Sequence, residues 1–226
     1  MSSIYVAALQ RRKRFRGWFS TFDPTGPRPL FRLWSRPRVV EKERYGGGRI
    51  VVCDYDPLWP AMFERERRDV QTALGPTAIS IEHVGSTAVA GMAAKPIIDL
   101  LVGVEDLEEA RTSCIAPLRD LGYAHVAEYE AWLTGEMLFR KGAPGPWTHH
   151  LHVMEPSSPR WQENILIRDY LCRHPEVAAA YANLKKALAL VFADDIAGYR
   201  DAKRPFLQAV MASARRESSA CSLRAR

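Results

Sequence analysis

From residue 49 onward, apolar positions recur at spacings that predict alternating strands and helices. Ile50-Val51-Val52-Cys53 is a short apolar run that reads as a strand. Asp56-Pro57 reads as an N-cap followed by proline at the first helical position. Trp59, Phe63, Glu66, Val70 and Leu74 recur at steps of 4, 3, 4 and 4, one face of a helix that Gly75-Pro76 stops. Residues 78–84 alternate as a strand, Gly85-Ser86-Thr87 turns the chain, and 88–92 reads as a short helix. Lys95-Pro96 leads into 97–102, a mostly apolar run typical of a strand buried on both faces. Residues 106–121 read as a helix ended by Gly122. Strands follow near 123–127, 136–141 and 149–154, and the last two are expected to pair as a hairpin across Gly142, Pro144, Gly145 and Pro146.

From Ser158 the pattern is helical. Val177, Tyr181, Leu184, Leu188 and Val191 keep a 4-3-4-3 spacing. Ile196, Tyr199, Lys203, Phe206 and Val210 continue the stripe, and Pro205 is expected to kink or restart the last helix. There is no internal repeat. The fold class read from these elements is α+β: a mixed sheet with flanking helices and a helical C-terminal third.

Composition narrows the reading little. The 226 residues are 47% hydrophobic and 26% charged, which excludes a wholly disordered chain. No apolar run approaches the ~20 residues that a membrane-spanning helix needs. The cysteines at 53, 114, 172 and 221 are isolated, so neither a zinc ribbon nor a disulfide framework is indicated. They fit buried thiols in a reducing cytosol, and a cytoplasmic protein is expected.

Charge changes more. The net charge of +6 is unevenly spread. Residues 1–48 hold 11 Lys/Arg against 3 Asp/Glu, residues 214–226 hold 4 against 1, and the middle holds 17 against 22. The body is therefore mildly acidic, which weakens nucleic acid as its partner. Residues 1–48 read as a basic extension, partly disordered, with a cluster at Arg11, Arg12, Lys13, Arg14 and Arg16 and no steady hydrophobic period. A secretory signal is not expected here, because the apolar stretch 4–9 precedes the positive charges. Binding of nucleic acid or anionic lipid by this arm is the functional alternative, and its six aromatics between Phe15 and Trp34 also suit docking on the body. Residues 214–226 are expected to be a basic disordered tail.

Three features carry candidate chemistry. In segment 82–99, Gly85 permits close approach of backbone, and the N–H groups of Ser86 and Thr87 suit a phosphate; equally, Ser86 or Thr87 can simply cap the helix, which spacing alone favours. Asp99 lies inside an apolar run, where a carboxylate is costly unless it is paired, protonated or holding a metal. His150 and His152 alternate to one strand face, as a metal-ligand or proton-transfer pair would, or as core histidines. Lys203 and Arg168 sit on apolar helix faces, either snorkelling to solvent or reaching an anion.

Segment 82–99, EHVGSTAVAGMAAKPIID, resembles the signature of the GrpB family, as do HLHV at 150–153, RDYLCRHPE at 168–176, YANLK at 181–185 and YRDAK at 199–203. The resemblance covers about 49–212 and leaves the N-terminal arm unmatched. The family is regarded as a branch of the nucleotidyltransferase superfamily, and in some proteins the domain is fused to dephospho-CoA kinase. The resemblance implies a small mixed sheet in which Gly85 and Ser86 hold nucleotide phosphates and Asp99 is the first of the metal-binding carboxylates. The position two after Asp99 is Leu101, however, and His150 and His152 stand where a third acid belongs. Two-metal phosphoryl chemistry needs more than one carboxylate.

The expected function is therefore a nucleotidyltransferase-fold protein that binds a nucleotide or other phosphorylated small molecule, with metal-dependent nucleotidyl or phosphoryl transfer as its reaction. The expected binding residues are Glu82, His83, Gly85, Ser86, Thr87, Lys95, Arg168 and Lys203, with Asp99, His150 and His152 catalytic. Asp99 and His152 are the expected ligands of a divalent ion, Mg²⁺ or Mn²⁺ ahead of Zn²⁺. The alternatives are a non-catalytic phosphoryl-ligand or partner-docking module and, more weakly, a histidine-based metal hydrolase.

Overall fold

The computed structural model describes residues 49–130, 134–143 and 146–224. The expected N-terminal arm and the Pro144-Gly145 part of the hairpin loop lie outside the described residues. Among those described, five strands form one sheet: β1 Ser80–Val84, β2 Ile98–Gly103, β3 Tyr123–His125, β4 Met137–Lys141 and β5 His149–Met154, in the order β1-β2-β5-β4-β3. β2 and β5 run parallel; the other pairs are antiparallel, including the expected β4–β5 hairpin. The sheet is mixed, as the sequence predicts.

Alternation along the strands gives the sheet two unlike faces. Ile98, Leu100, Val102, Leu151, Val153, Met137 and Phe139 point to one side and form the main core with α1, Trp59–Leu74. The α1 residues Trp59, Phe63, Glu66, Val70 and Leu74 are all buried, the stripe that the spacing predicts. Each fully buried large side chain is worth about 1.5–3 kcal/mol. Glu66 is tolerated there because Lys141 Nζ donates to both its oxygens, at 2.8 and 3.0 Å. The opposite face carries Glu82 and Val84 on β1, Asp99 and Leu101 on β2, His150 and His152 on β5, and Arg140 and Leu138 on β4, paired across the ladder.

The C-terminal third is three helices: α4 Pro159–Arg173, α5 Pro175–Val191 and α6 Ile196–Arg224. They form a second core with Ile50, Val89, Met92 and Ala93. Trp161 and Ile165 of α4 meet Val84, Leu101 and Met154 from the polar face of the sheet. The polar face of the sheet is thus partly roofed by helices.

Several expectations are corrected. Residues 50–53 are not a strand: Cys53 makes a lone bridge to Ala94, while Ile50 donates to Ala193 O at 2.8 Å, so no single partner builds a ladder. The helix at 88–92 is absent; Ser86–Ala88 is one 3-10 turn, and Gly91, at φ 75°, ends any continuation. The helix at 106–121 is two, α2 Leu107–Ser113 and α3 Ile115–Asp120, because Pro117 has no N–H to give the carbonyl of Ser113. Pro205 lies inside α6 without ending it. The segment from 214 is the end of α6 as far as Arg224, not a disordered tail: Ala214 is fully buried, and Arg173 and His174 hold Glu217 at 3.0 and 2.8 Å. Of the cysteines, Cys114 is buried as expected, Cys53 is half-buried and Cys172 is exposed. Among the described residues, no helix is long and apolar enough to cross a membrane.

Candidate functional site

β2 brings Asp99 to the polar face and leaves its side chain 29% exposed, between the buried Ile98 and Leu100. The turn after β1 closes directly on it. Gly85 adopts φ +71°, and a Cβ built there would lie 2.2 Å from Asp99 Oδ2. Gly85 is thus required both by its left-handed backbone and by contact. Asp99 Oδ1 faces His150 Nδ1 at 3.2 Å. Burial would raise the Asp99 carboxyl, but the hydrogen bond from His150 and the charges of His150, His152 and Lys95 outweigh it and hold it below the usual range. Burial pushes the His150 imidazole down, helped by Arg140 and His152 and opposed by Asp99. His150 Nε2 is buried and has no hydrogen-bond partner.

Lysines from three elements feel the charge of Asp99. Lys95 comes from the loop before β2; its ammonium is pushed down by burial and by Arg140, against the attraction of Asp99. Lys185 of α5 is 3% exposed, and its Nζ makes no hydrogen bond, lying instead 4.6 Å from the centre of the Tyr181 ring. Burial and the neighbouring Lys203 push Lys185 down to about 7, with Asp99 opposing. Lys203 of α6 lies 4.5 Å from the centre of the Tyr199 ring. Burial, Lys95 and Arg200 push it down to about 8, again with Asp99 opposing. The ammonium groups of Lys95, Lys185 and Lys203 are each drawn to the charge of Asp99, and each is pushed down by a neighbouring cation.

Other expected site residues have partners elsewhere. His83 points to the opposite face of the sheet, in register with Leu100, where it stacks on Phe63 with centroids 4.5 Å apart. Burial and Arg168 push its imidazole down to about 4, so it stays neutral. Its Nε2 lies 3.1 Å from Thr87 Oγ1, and that buried hydroxyl donates to Ile97 O at 3.2 Å. Thr87 and His83 therefore fasten the turn to the strands. Arg168 gives Nη1 to Glu82 at 2.6 Å and to His83 O at 3.0 Å, and Nε to Asp169 at 2.8 Å. Glu82 and Arg168 share the polar side but neutralise each other, which makes them a brace between β1 and α4. Ser86, next to Gly85, opens the 3-10 turn, and its carbonyl accepts from Val89 N–H.

His152 shares the face of His150 but turns Nδ1 toward Glu136 Oε1, 3.5 Å away, and Glu136 also takes Arg160 Nε at 2.5 Å. The expected metal ligands, Asp99 and His152, are thus directed at different partners. Among the described residues no three His, Cys, Asp or Glu side chains form a group that could hold a metal ion. Leu101, where a second acid would stand, is 1% exposed and packs with Trp161. The side chains here do not fit a metal held by the protein alone. An apolar groove along Pro156, Trp161, Gln162, Ile165, Leu166 and Asp169 includes none of the expected residues.

A sequence profile described as GrpB protein matches residues 49–213. The chain belongs to the GrpB family. Glutamate-rich protein GrpB of Alkalihalophilus pseudofirmus is 34% identical over 73% of this chain and 95% of its own length. UPF0157 protein YqkA of Bacillus subtilis is 34% identical over 76% of this chain, which spans about half (49%) of YqkA. A protein named dephospho-CoA kinase from Mycolicibacterium paratuberculosis is 32% identical over 68% of this chain but only 43% of its own. The crystal structure of GrpB from Enterococcus faecalis matches with a TM-score of 0.68 at 33% identity, covering 74% of this chain and 99% of that one.

Sequence reasoning missed three residues of the candidate site: Lys185, Arg140 and Glu136. Lys185 lies four after Tyr181 and three before Leu188, hence on the buried stripe of α5, and that spacing was the available signal. Arg140 ends an apolar run, as Asp99 interrupts one, and is 3% exposed. Glu136 just precedes β4 and nothing local marks it.

Proposed function

We propose that this GrpB site binds a nucleotide or another phosphorylated small molecule through its phosphates. The observation that carries the reading is Lys185: a buried ammonium, without a hydrogen bond, beside Lys203, which in turn feels the charge of Lys95. Such a charge is costly unless an anion completes it. A phosphate supplies several acceptor oxygens at once, and its charge offsets the lysine excess over Asp99. The match to part of a protein named dephospho-CoA kinase supports a phosphorylated ligand.

Calorimetric titration with pyrophosphate and with ATP, each with and without Mg²⁺ or Mn²⁺, tests this. Because the lysines supply the attraction, binding without metal is expected, as is its loss in Lys185→Met. No heat from either ligand under any condition refutes the proposal.

A non-catalytic module is the second reading, favoured by Leu101 in place of the second acid. Transfer of label from ATP to any acceptor, abolished by Asp99→Asn, would remove it and leave nucleotidyl or phosphoryl transfer standing.

A further inference from the structure

α5 and α6 each carry a tyrosine followed four residues later by a lysine: Tyr181 and Lys185 in YANLK, Tyr199 and Lys203 in YRDAK. Positions four apart share a helix face, and side chains lean toward the helix N-terminus, so the later residue covers the earlier one. Both pairs meet in this way. Lys185 Nζ lies 4.6 Å from the centre of the Tyr181 ring, and Lys203 Nζ lies 4.5 Å from that of Tyr199. The two tyrosines are buried, at 5% and 2% exposure. Tyr181 also stacks on Phe206 of α6, with centroids 5.1 Å apart and planes 10° from parallel. Burial pushes both phenols up, helped at Tyr181 by Tyr199 and Asp99, so neither ring carries a charge. Each ammonium therefore meets the negative face of a neutral ring.

We infer that Tyr181 and Tyr199 are positioning residues of the phosphate site, whose ring faces seat the ammonium groups of Lys185 and Lys203 for an incoming anion. The inference rests on the phosphate-binding reading above and goes beyond it by giving the two tyrosines a part. Lys185 and Lys203 repel each other across α5 and α6, and each stands on a flexible four-carbon stem. Without a second contact the two charges would swing apart. A carboxylate beneath each lysine would hold it more firmly but would cancel the charge that attracts a phosphate. A neutral ring holds the cation and leaves its charge uncancelled. The ammonium carries three N–H groups, so those turned away from the ring remain to donate to phosphate oxygens. The contact thus serves the empty and the filled site alike. It uses the ring face and not the hydroxyl, so phenylalanine should replace either tyrosine.

The test replaces each tyrosine in the full chain by phenylalanine, and then by phenylalanines bearing one, three and five ring fluorines. Fluorine changes the shape little while draining the ring face of negative charge. Pyrophosphate affinity is measured by calorimetry and Tm by thermal melting on the same samples. Tyr181→Phe and Tyr199→Phe should keep affinity within about threefold, and each fluorinated series should lose it stepwise, by about tenfold from phenylalanine to the pentafluoro ring. A packing role would not produce that grading, because the side-chain volume hardly changes along the series. The members with one and three fluorines carry the test should the pentafluoro chain fail to fold. If the wild-type chain binds pyrophosphate and affinity is flat along both series, or rises with fluorination because the rings compete with the anion, the positioning role is overturned and the binding reading stands. Absence of pyrophosphate binding by the wild-type chain overturns both.

Discussion

Gly85 and Asp99 sit so close that no side chain fits between them: a Cβ on Gly85 would fall 2.2 Å from Asp99 Oδ2. Gly85→Ala meets this contact and also a φ of +71°, where a non-glycine residue costs about 1–2 kcal/mol by itself. The variant should melt several degrees lower and lose pyrophosphate binding. Adding Asp99→Ala should restore part of the stability but not the binding, and melting curves of the four-member cycle separate the two causes.

Lys185→Met should stabilise the ligand-free protein while removing its affinity for anions. The substitution keeps the bulk and removes a buried ammonium without a hydrogen bond. A gain of about 1 kcal/mol would raise Tm by roughly 2–4 °C in a chain of this size. Calorimetry and thermal melts on one preparation check both halves.

Anion binding should weaken as pH rises from 7 to 9. Lys185 and Lys203 titrate at about 7 and about 8 in the free protein, well below an ordinary lysine. An anion favours their charged forms, so above these values binding must draw protons from solution. The groups facing them are Asp99, Lys95, Arg200 and the Tyr181 and Tyr199 rings. Titrations at pH 8 in buffers of different ionisation enthalpy should report net proton uptake, and Lys185→Met should reduce it. The same depressed values mean that the unfolded chain holds more protons between about pH 7 and 10, so the two lysines make the ligand-free fold gain stability as pH rises through that window.

Arg168→Ala should damage the fold more than the site. The guanidinium joins Glu82, Asp169 and His83 O. Glu82 is 39% exposed, so the pair itself is worth little, and the loss should be about 1–2 kcal/mol, mostly from the unpaired carbonyl and lost packing. Pyrophosphate affinity should stay within about threefold if the loss is only of a brace. A collapse of affinity with an unchanged Tm would instead make Arg168 a ligand contact.

Sequence periodicity disclosed the scaffold well where one face had to be buried. The α1 stripe through Glu66 and the β4–β5 hairpin follow from spacing and turn residues alone. It failed at 50–53, where apolar composition suggests a strand but the backbone partners are split between Ala94 and Ala193. In the site, Asp99 and Lys203 are visible as polar residues in apolar settings and His150 as one of two imidazoles on one strand face, whereas Lys95 enters only through segment 82–99 and its resemblance to the family signature. His83 was not distinguishable from its neighbours, because only the pairing with Leu100 reveals which side of the sheet it takes. Lys185 is marked in the sequence only by its place on the α5 stripe, and its charge is left costly because α6 brings Lys203 near it.

β5 is hydrogen-bonded along both edges, to β2 on one side and to β4 on the other. Its odd-numbered residues, Leu151 and Val153, serve the apolar core, and its even-numbered ones, His150 and His152, face Asp99 and Glu136 on the polar side. A slip of a single position would carry both imidazoles into hydrocarbon and expose the aliphatic side chains in their place. Folding of the core and assembly of the polar face are therefore one event on this strand, and a variant that loosens either edge would lose both together.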